Sequence, residues 1–168
     1  CLTYLPERFT PPWYLTGREF LRATITMAGQ PWDDASAVDM LSRLDLAKES
    51  LTREVRQFSK GMSQKLGLAS CFLSKKELLV LDEPMSGLDP SARVRIKDQL
   101  RAFSRNGHTL LITSHSLADI EEICDHMVVL HRGKVAFCGT PGGLCKLQNE
   151  STLEQAFLKC IEANANGK

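Results

Sequence analysis

Two adjacent carboxylates, Asp82 and Glu83, end the apolar run Leu78-Leu79-Val80-Leu81 and are followed by Pro84. Acids at the C-terminal end of a buried strand cost desolvation, so they stand there to meet a cation or a reacting group. The first can help hold a divalent cation while the second orients or deprotonates an attacking water. Alone, the pattern also fits a core strand that ends in a solvated turn, and the flanking segments argue against that. Downstream come Met85-Ser86-Gly87-Leu88-Asp89-Pro90 and then Ser114-His115 closing the run Leu110 to Thr113; upstream lies Phe58-Ser59-Lys60-Gly61-Met62-Ser63-Gln64-Lys65-Leu66. Ser59 precedes a helical pattern, and a helix N-terminus with its unpaired N–H groups and partial positive charge is a ready phosphate site. Taken singly, Ser59 could be a plain helix cap, Asp89 a favourable charge ahead of a helix that opens with Pro90, and His115 an ordinary strand-end histidine.

The elements that would carry these residues are legible in outline. Leu2 to Leu5 is extended, and three prolines between Pro6 and Tyr14 keep that stretch out of a helix. Thr16 and Glu19 form a capping box for a helix whose apolar face reads Phe20, Ala23, Met27 and which ends towards Gly29. A second helix is predicted over 34–46, with Ala37, Met40, Leu41 and Leu44 on one side, and a third behind Ser59 with Leu66, Ala69, Phe72 and Leu73. Short apolar runs then alternate with helices, the habit of a mostly parallel sheet. Leu78 to Leu81 and Thr109 to Thr113 read as buried strands, with a helix from Pro90 to Asn106-Gly107 between them. Met127 to Leu130 and Val135 to Phe137 read as paired strands, Gly139 to Gly143 as a loop, and Thr152 to Ala163 as a closing helix.

Charge excludes some partners. Across 168 residues, 21 Lys and Arg stand against 20 Asp and Glu, a net charge of +1, which gives no bulk attraction to nucleic acid. The six cysteines, Cys1, Cys71, Cys124, Cys138, Cys145 and Cys160, contain no Cys-x-x-Cys pair and read as reduced thiols; Cys124, His126 and His131 lack a zinc spacing. No apolar run reaches the roughly 18 residues of a membrane span. The first residue is Cys, and the chain opens as if inside a strand, so it is expected to be truncated at its N-terminus.

With four motifs in one order, the chain resembles the ATP-binding subunits of ABC transporters, of an exporter-like kind and truncated before the Q-loop. The likeness spans nearly the whole sequence, since Leu5-Pro6-Glu7 resembles the Q-loop and Gly133 to Pro141 matches the family's GxxxxxGTP tail. The resemblance implies roles. Asp82 would bind Mg²⁺, Glu83 would polarise the water that attacks the γ-phosphate of ATP, and His115 would be the switch histidine. Ser59, Lys60, Gly61 and Met62 would form the signature motif serving ATP held by an opposite subunit, and Asp89 would be the D-loop acid. The motif departs from the common LSGGQ at Phe58, Lys60 and Met62, and Glu7 replaces the usual glutamine; it could touch Mg²⁺ but, when ionised, cannot donate a hydrogen bond.

Nowhere does Gly-x-x-x-x-Gly-Lys-Ser/Thr occur: Gly133-Lys134 is followed by Val135, and Val128 stands where the first glycine is needed. The phosphate-binding loop is expected in roughly 70 to 90 preceding residues. The implied fold is α/β, an incomplete RecA-like P-loop core with an inserted helical subdomain at about 14–74, core at about 75–140 and a C-terminal helical segment at about 141–168. The implied partners are a transmembrane permease and a second nucleotide-binding subunit, with no nucleic acid, at the cytoplasmic face of the membrane. A rival is a nucleic-acid clamp or ribosome-associated ATPase on the same fold. The short span from Glu7 to Ser59 and the balanced charge oppose it.

Overall fold

The computed structural model describes residues 2–166, with side chains to residue 163, so Cys1 lies outside the described residues. The chain divides into two compact units, Cys1–Thr113 and Ser114–Lys168. In the first, β1 (Leu2–Leu5), β2 (Leu78–Asp82) and β3 (Thr109–Thr113) pair in parallel in that order. Parallel strands need long crossovers. The one from β1 to β2 carries α1 (Gly17–Met27), α2 (Asp34–Arg43), two 3-10 turns at Lys48–Leu51 and Val55–Gln57, and α3 (Lys60–Leu73); the one from β2 to β3 carries α4 (Pro90–Arg105).

Pleating sorts the strand residues into two faces. Leu5, Leu79 and Leu81 are buried, α3 packs on β1, and α4 packs on β3. The alternate residues face outward: Leu2 is 56%, Tyr4 54% and Leu111 59% exposed. Thr109 to Thr113 is therefore a strand with one open face rather than the buried strand its apolar run predicts. In the sheet order β1-β2-β3 only β2 has a strand on both sides.

The helical insert keeps its predicted elements but corrects their faces and ends. Thr16 and Glu19 do form the capping box: Thr16 N–H donates to Glu19 Oε2 at 2.8 Å, and Glu19 N–H to Thr16 Oγ1 at 3.3 Å. The buried stripe of α1 is Gly17, Phe20, Leu21 and Ile25, whereas Ala23 is exposed and Met27 is 79% exposed. Taking Phe20, Ala23 and Met27 as one face missed this, because Leu21 and Ile25 share the side of Gly17, where the backbone comes close. A Cβ on Gly17 would strike the Ser50 carbonyl oxygen. Helix α2 stops at Arg43 rather than 46, because Asp45 takes a left-handed conformation (φ 54) and Leu46 N–H closes back on Leu41 O at 2.9 Å.

The second unit holds the antiparallel hairpin β4 (Met127–His131) and β5 (Lys134–Gly139), with α5 (Leu117–Ile123), α6 (Pro141–Gln148) and α7 (Leu153–Asn166). Its core is Met127, Val129, Leu144, Leu153, Ala156 and Cys160. The loop expected at Gly139 to Gly143 is in fact the end of β5 and the start of α6. Thr140 caps that helix by accepting from Gly143 N–H at 3.0 Å, and Pro141 takes its first turn. The Thr-Pro cap outweighs the low helix propensity of Gly142 and Gly143, which sit only in that first turn. Helix α5, seven residues long, has no expected counterpart.

Two stability outcomes follow from the insert. The bonds from Thr16, backbone first, hold the Glu19 carboxyl below its usual range. A folded value below the unfolded one gives a contribution present above the unfolded pKa and lost as pH falls through the folded one. Glu19→Gln should therefore lower the chemical-denaturation midpoint at pH 7, with the difference from the parent vanishing below the usual glutamate range. Gly17→Ala should cost about 1–3 kcal/mol in the same assay through forced displacement of the Ser50 segment.

Candidate functional site

The three parallel strands end together. Leu5, Leu81 and Ile112 are in register, so Glu7, Glu83 and Ser114 follow their strands at the same edge of the sequence register. The carboxyl edge of a parallel sheet is where ligands of open α/β sheets bind. Asp82 is the last residue of β2 and pairs across with Thr113, the last of β3. The Thr113 hydroxyl donates to Asp82 Oδ1 and accepts Glu83 N–H at 3.0 Å. Glu83 itself is left-handed (φ 47), a conformation that costs a non-glycine residue on the order of 1 kcal/mol. A second bond braces the same turn: Gln64 Nε2, on a side chain only 4% exposed, donates to Pro84 O at 3.3 Å.

Gln64 comes from α3, whose N-terminus carries the other candidate group. Ser59 caps it by accepting Met62 N–H at 3.1 Å. Ser59, Lys60, Gly61 and Met62 line an open recess of about 410 Å³ together with Lys65, Gly87, Leu88 and Asp89. The Lys60 stem crosses Gly87, which is itself left-handed (φ 71): a Cβ there would lie 3.4 Å from both Cε and Nζ of Lys60. Asp89 caps α4 through Ala92 N–H at 2.9 Å, and that bond first, with the charge of Lys65, holds its carboxyl below the usual range. Lys65 is nearly buried and donates to Asp45 O at 2.8 Å. The recess thus offers a helix N-terminus and the Lys60 ammonium beside one carboxylate, with the Lys65 ammonium already held by Asp45, a surface suited to an anion.

Five of the sequence-predicted residues, Ser59, Lys60, Gly61, Met62 and Asp89, come together in this recess, and Asp82 and Glu83 stand as neighbours outside its lining. Glu7 is exposed in the loop after β1. That loop is anchored on both sides, since a Cβ on Gly67 of α3 would fall 2.6 Å from Leu5 Cδ1 and 2.8 Å from the Phe9 ring. His115 belongs to the second unit, where it is exposed, and Ser116 beside it caps α5 by accepting Asp119 N–H at 3.3 Å. Sequence reasoning passed over Thr113, Gln64 and Lys65. The repeated Thr at the end of β3 was the one available signal, a hydroxyl where another apolar residue would extend the strand.

Residues 25–119, more than half of the chain, match the family model described as "AAA domain, putative AbiEii toxin, Type IV TA system". An uncharacterized ABC transporter ATP-binding protein of Synechocystis is 34% identical over 168 residues, covering 98% of this chain and 47% of the relative. A lantibiotic transport ATP-binding protein of Streptococcus pyogenes is 32% identical over 127 residues, covering 74% of this chain and 54% of the relative. The chain therefore spans about half the length of the curated relatives it matches. A solved structure of the ATP-binding subunit of an ABC transporter superposes with a TM-score of 0.80 at 27% identity, covering 95% of this chain and 68% of that one. The fold is the α/β, RecA-like type of that subunit.

Proposed function

The chain belongs to the family of ABC transporter ATP-binding proteins, AAA-type domain included, and on that premise we propose that its parent hydrolyses ATP to drive transport through a membrane permease. The observation that carries this reading is the acid pair at the sheet's carboxyl edge, fixed by Thr113 and Gln64, beside a separately lined anion recess. One surface suits the chemistry and the other suits grasping a phosphate that this subunit does not itself hold.

In this reading Glu83 accepts the proton of the water that attacks the γ-phosphate. Asp82 would hold Mg²⁺, with Glu7 as a further contact. The donor set fits: both are hard oxygen ligands, and Mg²⁺ at a nucleotide takes one or two carboxylates and fills its other positions with phosphates and water. A full protein cage is not needed, and no cluster of three His, Cys, Asp or Glu groups occurs among the described residues. Mg²⁺, when bound, offsets the charge of the phosphate oxygens. Ser59, Lys60, Gly61 and Met62 receive the nucleotide held by a second, head-to-tail subunit, Asp89 links the two sites, and His115 contacts the γ-phosphate. The cradle for the β- and γ-phosphates comes from outside these 168 residues.

The helical subdomain occupies about 14–74, the core about 75–140 and the C-terminal helical segment about 141–168. No helix among the described residues is long and apolar enough to cross a membrane. In this reading the subunit docks on a transmembrane permease at the cytoplasmic face. The helical subdomain meets that permease through a groove near the stretch Pro6 to Tyr14, whose end is tied to the segment before the signature motif by Val55 N–H to Leu15 O at 2.8 Å and Arg56 N–H to Trp13 O at 3.1 Å.

In the full-length protein, Glu83→Gln should slow single-turnover hydrolysis by about 10² to 10⁴-fold, or roughly 3–5 kcal/mol of barrier, while ATP binding persists and the dimer accumulates. Hydrolysis within about threefold of the parent, or no ATP-dependent dimer by mass measurement, would remove Glu83 from the role of base. A cysteine at Thr10 should crosslink to cytoplasmic loops of the permease, and failure across a panel of loop positions would displace the docking site from this stretch.

A further inference from the structure

We propose that Thr113 is the positioning residue of the acid pair, its single hydroxyl setting both the carboxylate of Asp82 and the backbone of Glu83. This rests on the reading of Asp82 as the Mg²⁺ carboxylate. The polarity of the two bonds is forced. Glu83 N–H can only donate, so the Thr113 oxygen must accept there, at 3.0 Å; its one proton is then left for Asp82 Oδ1. Asp82 is thereby held through one oxygen, and among the described residues none donates to the other. The carboxylate is fixed in rotation with its second oxygen available to a cation, as a hydrogen-bond donor behind a metal-binding carboxylate fixes its orientation.

The same hydroxyl acts on the neighbour. Glu83 adopts a left-handed backbone that an L residue rarely takes, and its N–H is tied to β3 while the following Pro84 carbonyl is tied to Gln64. Release of the Thr113 bond removes the tie between this turn and β3, leaving the Gln64 bond to Pro84 O and the local Ser86 N–H to Glu83 O bond at 3.0 Å. Register makes the arrangement specific to this residue. Asp82 and Thr113 are partners at the last rung of β2 and β3, so their side chains leave the sheet on the same face. Ile112, one residue earlier, pairs with buried Leu81 on the opposite face.

A merely structural role is separable from this one, because threonine brings two properties to a strand end: a β-branch that suits the strand, and a hydroxyl. Thr113→Val keeps the branch and removes the hydroxyl; Thr113→Ser does the reverse. In the full-length protein, the Mg²⁺ concentration that half-saturates ATP binding, measured calorimetrically, should rise by about 10-fold to 100-fold in Thr113→Val and stay within about threefold of the parent in Thr113→Ser, with single-turnover hydrolysis following the same order. Thr113→Ala should match Thr113→Val, which covers the case of a valine that packs badly. Asp82→Asn is the reference. If it raises the Mg²⁺ requirement and Thr113→Val does not, or if Thr113→Ser is as impaired as Thr113→Val, the positioning role is overturned and the reading of the site stands. If Asp82→Asn leaves the Mg²⁺ requirement unchanged, the reading of the site fails and takes this inference with it.

Discussion

Parallel pairing of β1, β2 and β3 is the constraint on which the rest of the first unit depends. A parallel sheet brings every strand's carboxyl end to one edge and forbids tight turns between strands, so each return must be a long crossover. The return from β1 to β2 carries three helices, and the one from β2 to β3 carries a single helix, α4. Asp82 and Glu83 are thus set at an edge where no hairpin can cover them. The motif at Ser59 is likewise set on the last helix of a crossover, α3, whose chain runs directly on into the strand bearing the acids.

Helix α3 converts that topology into a fixed geometry. Its first turn, capped by Ser59, opens the recess; Gln64, one turn further, holds the Pro84 carbonyl; and Gly67 lets Leu5 and Phe9 approach on either side of Glu7. Three sites of interest therefore touch one rigid element within eight residues. Displacement of α3 along its axis would move all three together, which is a physical route for a change at one to reach the others. The left-handed Glu83 is consistent with this bracing. A conformation that costs on the order of 1 kcal/mol persists where neighbours over-determine it, and here bonds arrive from β3 and from α3.

Much of this was legible in the sequence, for reasons that differ by residue. The Thr16 and Glu19 box, the Ser59 cap and Pro90 at the head of α4 were readable because capping is local chemistry, decided within four residues. The position of the acid pair at the end of β2 was readable because an apolar run of strand length stops at Asp82. The exposed face of β3 was not, since whether Leu111 is covered depends on what lies beside the sheet and not on the strand itself. The face of α1 departs from the Phe20, Ala23, Met27 stripe because a close backbone approach at Gly17 sets Leu21 and Ile25 inward, and Gly142 and Gly143 mask the Thr140-Pro141 start of α6 in the sequence. Thr113 and Gln64 escaped because their partners are 31 and 20 residues away, a separation that no local pattern encodes.

Lys65 joins these threads. A lysine that is only 8% exposed must find acceptors, and its ammonium takes the Asp45 carbonyl at 2.8 Å and the Asp45 carboxylate at 3.4 Å, just past the C-terminal end of α2. That end carries partial negative charge, so the placement stabilises α2 as well as satisfying the lysine. The same charge is felt by Asp89, where it adds to the Ala92 bond in favouring the ionised carboxyl. The left-handed Asp45 that cut α2 short of its expected end is what brings this carbonyl to Lys65. A helix terminus misjudged by three residues and a positive charge at the wall of the anion recess are consequently one feature of the fold, and the recess owes part of its electrostatics to a turn some twenty residues upstream of Lys65.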